Sequence, residues 1–276
     1  MYQGQLSVYR PRSHSPAAAG LTWPGAAAGG AVLGLGRAAG SWQWHLSGKH
    51  PVAKDFFAIG DKNPVAEAFA QWIRLGTEQN AGGRAMLTAN CSWRFWAKTG
   101  SRQTLVCGVM RNSCDFMGRP YPLLVMGSGA LDSWEENWEL LPLACEGLWN
   151  QMEQLATKNY QGLDRLKEDL RMLRPPQARW QELQRQSAEL LAALPGDLPA
   201  PAAAAQDALF LPLRCADHCD PLALIIRLHR VLKEKIRVVP NTLFVGGPLE
   251  QPGFALFTRP LSIADFARMW QPLTTI

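Results

Sequence analysis

Three apolar strand signals in close succession, Trp93–Ala97, Thr104–Met110 and Tyr121–Gly127, constrain this chain more than any other feature of it. Each is a short run rich in apolar and aromatic residues bounded by turn formers. Gly100 marks the first turn, and a longer loop, Arg111–Pro120, separates the last two strands. A sheet made of such runs needs apolar cover, and helical signals stand on both sides of it. Upstream, Asn63 and Pro64 pair an N-cap with a first helical residue that needs no N–H donor. Val65, Phe69, Trp72 and Ile73 then recur at i, i+4, i+7 and i+8, one buried helical stripe, with Gly76 near its end. Before that helix, Trp42–Leu46 alternates like a strand.

Downstream, Ser133-Trp-Glu-Glu136 has the form of a capping box and predicts the start of a helical region. Leu141, Cys145, Leu148, Met152 and Leu155 continue a helical stripe in which Pro142 implies a kink or a fresh start. Leu163, Leu166, Leu170 and Leu173 make a second stripe, stopped by Pro175-Pro176, and Trp180 to Leu194 a third. The Pro/Ala-rich stretch 195–207 reads as a loop. After it come a strand over Ala208–Leu213, a helix begun by Asp220-Pro221 and running to about Ile236, and strands at Leu243–Val245 and Phe254–Phe257. Ser262 and Asp265 cap a last helix, with Leu261 and Phe266 placed as a hydrophobic staple. Strands and helices alternate at both ends around a helical insertion at about 133–194, which predicts a layered α/β domain over 41–276. Residues 1–40, with Pro11, Pro16, Pro24 and a run of Ala and Gly carrying almost no charge, read as a disordered tail.

Composition narrows the function classes. The chain has 276 residues, 47% of them hydrophobic, enough for a sizeable core. Its net charge of +5 is too mild to demand a nucleic-acid partner. The Ala/Gly run Gly25–Gly36 falls short of the ~20 apolar residues that span a bilayer. Six cysteines at uneven spacings read as reduced, cytoplasmic thiols. Cys215-x₃-Cys219 with His218 has one possible metal knuckle but no second pair, so no metal is expected. Gly34-x-Gly36 lacks the preceding strand and following helix of a dinucleotide fingerprint, and no nucleotide or other cofactor is expected. His229 falls on the apolar stripe of its helix and reads as a core residue. Five cations against Glu234 over Arg227–Arg237 read as a solvated helix face.

From Trp93 to Met126 the residues fall into a longer pattern: Trp93, Arg94, Phe95; Gly108, Val109, Met110; then Ser113, Asp115, Gly118, Arg119, Tyr121, Pro122 and Leu123. This segment closely resembles the TagF family of type VI secretion system-associated proteins. Gly48, Lys49, Pro51, Asp55 and Phe56 keep the frame of the family's opening motif, with His50 in place of its Leu and Lys54 in place of its Gly. The resemblance is tight over 48–126 and loose afterwards. It implies a three-layer α/β/α sandwich, which agrees with the alternation read above of a central mixed sheet with inserted helical hairpins. It also implies a non-catalytic cytoplasmic protein that represses type VI secretion post-translationally by binding the machine's forkhead-associated scaffold protein.

The central motif also reads physically. Ser113 and Asp115 can bond local backbone and shape a turn, Gly118 can take φ > 0, and Arg119 is placed to pair with Asp115 four residues before it. Pro122 starts the outgoing strand or sits where no ladder donor is needed. Lys49, Asp55, Trp93, Ser113, Asp115, Gly118, Arg119 and Pro122 are thus the candidate loop-bracing or partner-binding residues. The alternative is an enzyme whose site gathers Asp55, Asp115 and Arg119.

Overall fold

The computed structural model describes residues 42–61, 63–79, 90–101, 103–194, 207–213 and 220–270. The tail at 1–40, the loop at 195–206 and the Cys215–Cys219 knuckle lie outside these residues. In chain order the elements are β1 (Gln43–Gly48), β2 (Phe57–Gly60), α1 (Pro64–Gln79), β3 (Cys91–Lys98), β4 (Thr104–Cys114) and β5 (Pro120–Ala130). A 3₁₀ turn (Trp138–Leu140) leads into α2 (Leu141–Thr157), α3 (Leu163–Arg171) and α4 (Trp180–Ala192). The chain ends with β6 (Ala208–Pro212), α5 (Pro221–Lys235), β7 (Thr242–Pro248), β8 (Gly253–Phe257) and α6 (Ile263–Met269).

The eight strands form one sheet in the order β2-β1-β5-β4-β3-β7-β8-β6, and every neighbouring pair is antiparallel. This corrects the expected mixed sheet. Alternation of strands and helices suggested crossovers, but β3, β4 and β5 follow one another through short turns, and a short turn reverses the chain. The helices that do separate strands, such as α1 between β2 and β3, return to non-neighbouring positions.

Side chains alternate across the sheet as a pleat requires. Trp96, Leu105, Cys107, Val109, Leu123 and Val125 face a core shared with α2, α3 and α5. Trp93, Phe95, Val106, Met110, Leu124 and Met126 face a second core shared with α1 and α6. Arg94, pointing to the first face, ties β3 to α2 through Glu146, Asn150 and Glu153 at 2.8–2.9 Å. On the second face, Trp72 of α1 donates its indole N–H to the Ser262 carbonyl at 2.7 Å, just ahead of α6.

Several local signals behave as read. Asn63 Oδ1 accepts from Val65 N–H at 2.9 Å, Asp220 Oδ1 from Leu222 N–H at 2.9 Å, and Ser262 with Asp265 forms a reciprocal capping box. Pro142 marks a fresh helix start at the head of α2. Ser133 does not cap a helix: its φ of +55° is left-handed, whereas an N-cap needs the β region. Residues 132–137 are turns, and the helix begins later, at Leu141. Strand β2 carried no signal at all.

Candidate functional site

The hairpin β4–β5 is longer than its apolar signals. Its register runs from Thr104 opposite Ala130 to Cys114 opposite Pro120, so half of the expected loop 111–120 is strand. Reversal is left to Asp115–Arg119. Asp115 has a fully buried side chain that organises the turn. Its Oδ1 accepts from the N–H groups of Met117 and Arg119, both at 3.0 Å. Its Oδ2 accepts from Arg119 Nε at 2.7 Å and lies 3.0 Å from Lys49 Nζ. Gly118 sits at φ +74° with open space where a Cβ would stand, so the position demands a left-handed backbone rather than a small side chain.

Burial works to raise the Asp115 pKa, but the Arg119 N–H and the side chains of Lys49 and Arg119 outweigh it and hold the carboxyl at about 2. A carboxylate so fully engaged is a brace at neutral pH, with no free lone pair directed at an outside group.

A second segment is clipped to this turn. Arg119 Nη2 donates to the Lys54 carbonyl at 2.8 Å and lies 3.5 Å from Asp55 Oδ2, and Phe116 N–H donates to the Ala53 carbonyl at 2.8 Å. Asp55 Oδ1 accepts from Phe56 N–H at 2.8 Å. The structure therefore brings together Lys49, Asp55, Asp115, Gly118 and Arg119. Around them stand three large apolar side chains in water: Phe116 and Met117, each 70% exposed, and Phe56, 50% exposed. Phe56 meets Tyr121 edge-on at 5.5 Å between centroids.

The remaining candidates take other places. Ser113 pairs with Tyr121 in the ladder and makes none of the Asp115 bonds. Pro122 lies opposite Asn112, and its carbonyl fills the space where a Cβ on Gly48 would stand. Trp93 is no part of the site. It is fully buried on the α1 face, edge-on to Phe244 at 6.3 Å, because its position in the pleat points away from α2.

Sequence reasoning gave no role to His50. It is buried, its Nδ1 accepts from Val52 N–H at 3.2 Å, and its ring meets Tyr160 at 5.7 Å. Tyr160 in turn donates to Asp169 of α3 at 2.9 Å, so His50 anchors the Lys49–Phe56 turn to the helical layer. Burial, then the nearby Arg111 charge, lower the His50 pKa. Two cations of the basic helix are engaged internally: Arg227 caps the end of α4 through the Leu191 and Leu194 carbonyls, and Lys233 pairs with Glu139 and the Glu136 carbonyl. Among the described residues no group of three or more His, Cys, Asp or Glu side chains is arranged to hold a metal, and no helix is long and apolar enough to cross a membrane.

This is a mixed α/β protein on an eight-stranded antiparallel sheet, with a braced hairpin end carrying exposed apolar side chains. Its fold is similar to the crystal structure of PA0076 from Pseudomonas aeruginosa PAO1, at a TM-score of 0.52 and 18% identity, covering 84% of this chain and 96% of that one. No curated protein matches the chain. Residues 46–173 match the family model of the TagF N-terminal domain, type VI secretion system-associated. The matched stretch holds the whole braced turn and ends just past α3, while the sheet continues through β6, β7 and β8.

Proposed function

We propose that this chain is a non-catalytic, cytoplasmic regulator of a type VI secretion system, a post-translational repressor that binds the machine's forkhead-associated scaffold protein. It acts by occupying that partner, without cofactor, nucleic acid or membrane insertion. The helices over the two faces of the sheet are, in the same reading, the outer layers of a three-layer α/β/α sandwich. One observation carries the function: Phe56, Phe116 and Met117 stand in water on a turn that a buried carboxylate holds rigid. Large exposed apolar side chains on a fixed support suit protein recognition. The enzyme alternative loses support where Asp115 is concerned, since its oxygens are taken by backbone N–H groups, Arg119 and Lys49.

The test is affinity capture of the scaffold protein from cells carrying the secretion cluster, with the unmodified chain and with Phe116→Ala/Met117→Ala as bait. The expected result is capture by the former and loss by the latter at unchanged thermal stability. Equal capture by both baits removes the turn from the interface, and no capture by either removes the scaffold as partner.

A further inference from the structure

A second surface begins where β2 ends. This strand is the outermost of the sheet on its side, and among the described residues no strand pairs with its outer edge. Ala58 and Gly60 are exposed along it. Beside that edge lies an open cleft of about 400 Å³ between the sheet and α3, with Trp42 and Trp44 on its floor and Lys167 and Arg171 on its helical wall.

The floor is built, not incidental. The two indoles stack at 5.6 Å and 29°, and they lie where Cβ atoms on Gly127 and Gly129 of β5 would otherwise stand. Trp42 is fixed further by donating its Nε1–H to the Ala130 carbonyl at 3.2 Å. The wall carries charge that no ion pair among the described residues takes up. On and just before α3, Arg165 pairs with Glu168 and Lys158 with Asp169, but among the described residues no ion pair involves Lys167 or Arg171. Both are exposed. A carboxylate, Asp61, also stands on the rim at the end of β2 and opposes any uniformly acidic ligand there.

Spacing ties the wall to the edge. Residues four apart on a helix rise about 6 Å, and residues two apart on a strand advance about 6.8 Å. On an extended peptide running along α3, two acidic side chains on alternate residues match the Lys167–Arg171 step, and they share the peptide face on which a third alternate side chain meets the Trp floor.

We propose that β2 and this cleft dock an extended acidic peptide of a partner protein, added to the sheet as a ninth strand. Its backbone pairs with the open edge, carboxylates on alternate residues meet Lys167 and Arg171, and an apolar or aromatic side chain rests on Trp42 and Trp44. This mode of recognition takes affinity from main-chain hydrogen bonds and selectivity from alternate side chains. The surface is distinct from the Phe116 turn and does not depend on the scaffold reading.

The test is fluorescence anisotropy at low salt with a labelled Ser-Glu-Val-Glu-Val-Tyr-Ser peptide. Three comparison ligands are the same residues with the two Glu adjacent, the alternating peptide N-methylated at every second residue, and inorganic phosphate as competitor. The alternating peptide binds the full chain. Lys167→Glu/Arg171→Glu, which alters only exposed side chains, weakens it about tenfold or more. Phe116→Ala leaves it unchanged. Lack of binding overturns the proposal, as does equal binding of the adjacent-Glu or N-methylated peptide. Full displacement by phosphate, with no effect of N-methylation, makes the cleft a simple anion site and also overturns it.

Discussion

Phe116→Ala isolates recognition from folding. The side chain is 70% exposed, and a phenylalanine offers on the order of 200 Å² of surface, so roughly 140 Å² is free for a partner to cover. At ~25 cal/mol per Å² that area is worth about 3.5 kcal/mol. Fixing the ring costs about 1 kcal/mol, which leaves about 2.5 kcal/mol, or roughly a 70-fold loss of affinity for the scaffold protein. Stability should scarcely respond, because Phe116 belongs to neither core: a change within about 0.5 kcal/mol moves Tm by about 1–2 °C. Titration calorimetry with purified scaffold protein gives the first number and thermal denaturation the second. An affinity within about twofold of the unsubstituted chain refutes the assignment. Arg119→Ala is a poorer choice, since Arg119 both braces Asp115 and stands half-exposed at the turn, so a loss of binding could come from either.

Two acid-induced losses of stability should be separable. Burial leaves the His229 imidazole neutral, lowering its pKa to about 4 despite a hydrogen bond with the Ile225 carbonyl. The unfolded chain, with an ordinary His near pH ~6.5, binds more protons between these values, so stability falls as pH drops through that window. The loss is about 2 kcal/mol between pH ~7 and ~5, read as a lower urea midpoint that a His229→Leu chain does not show. Asp115, held at about 2, acts in a lower window: its stabilisation is intact above the ordinary carboxylate value of about 4 and drains as pH falls toward 2. Asp115→Asn should flatten the stability profile between those pH values, and an unchanged profile would mean that the brace forms no differently when protonated. Gly108→Val probes the sheet beneath the hairpin, because its Cβ collides with the Phe95 ring and stands 2.7 Å from the Val125 carbonyl oxygen. Overpacking of this kind costs about 1–3 kcal/mol and lowers Tm by about 3–10 °C.

What could be read from residues alone was what neighbouring residues decide. Asn63-Pro64 and Asp220-Pro221 start helices because an N-cap oxygen and a following proline suffice, whatever else surrounds them. Ser133-x-x-Glu136 has the same kind of local signal and fails, because the backbone there answers to Trp134 and Trp138. Both indoles are buried against Trp96, at 5.9 Å each, and that packing holds residues 132–137 in turns. The polar residues Arg111–Ser113 look like a loop and are strand because β5 continues beside them. Strand β2 is four residues at an edge, too short for a period to show.

The site divides along the same line. The four-residue step from Asp115 to Arg119 announces a brace, and the brace is there. Lys49 and the Lys54 carbonyl reach the same turn from more than sixty residues away, a contact that no spacing rule contains. Without that second segment the turn would be tied only to itself. With it, the Asp115 carboxylate links the turn between β4 and β5 to the segment that leaves the sheet at the end of β1, and Phe56 arrives beside Phe116 and Met117 as a consequence. A partner meeting these side chains meets a support already ordered, so less of its contact energy goes into fixing the loop. In the proposed reading the polar motif and the apolar surface are parts of one device: buried charge fixes the position from which exposed side chains meet a partner.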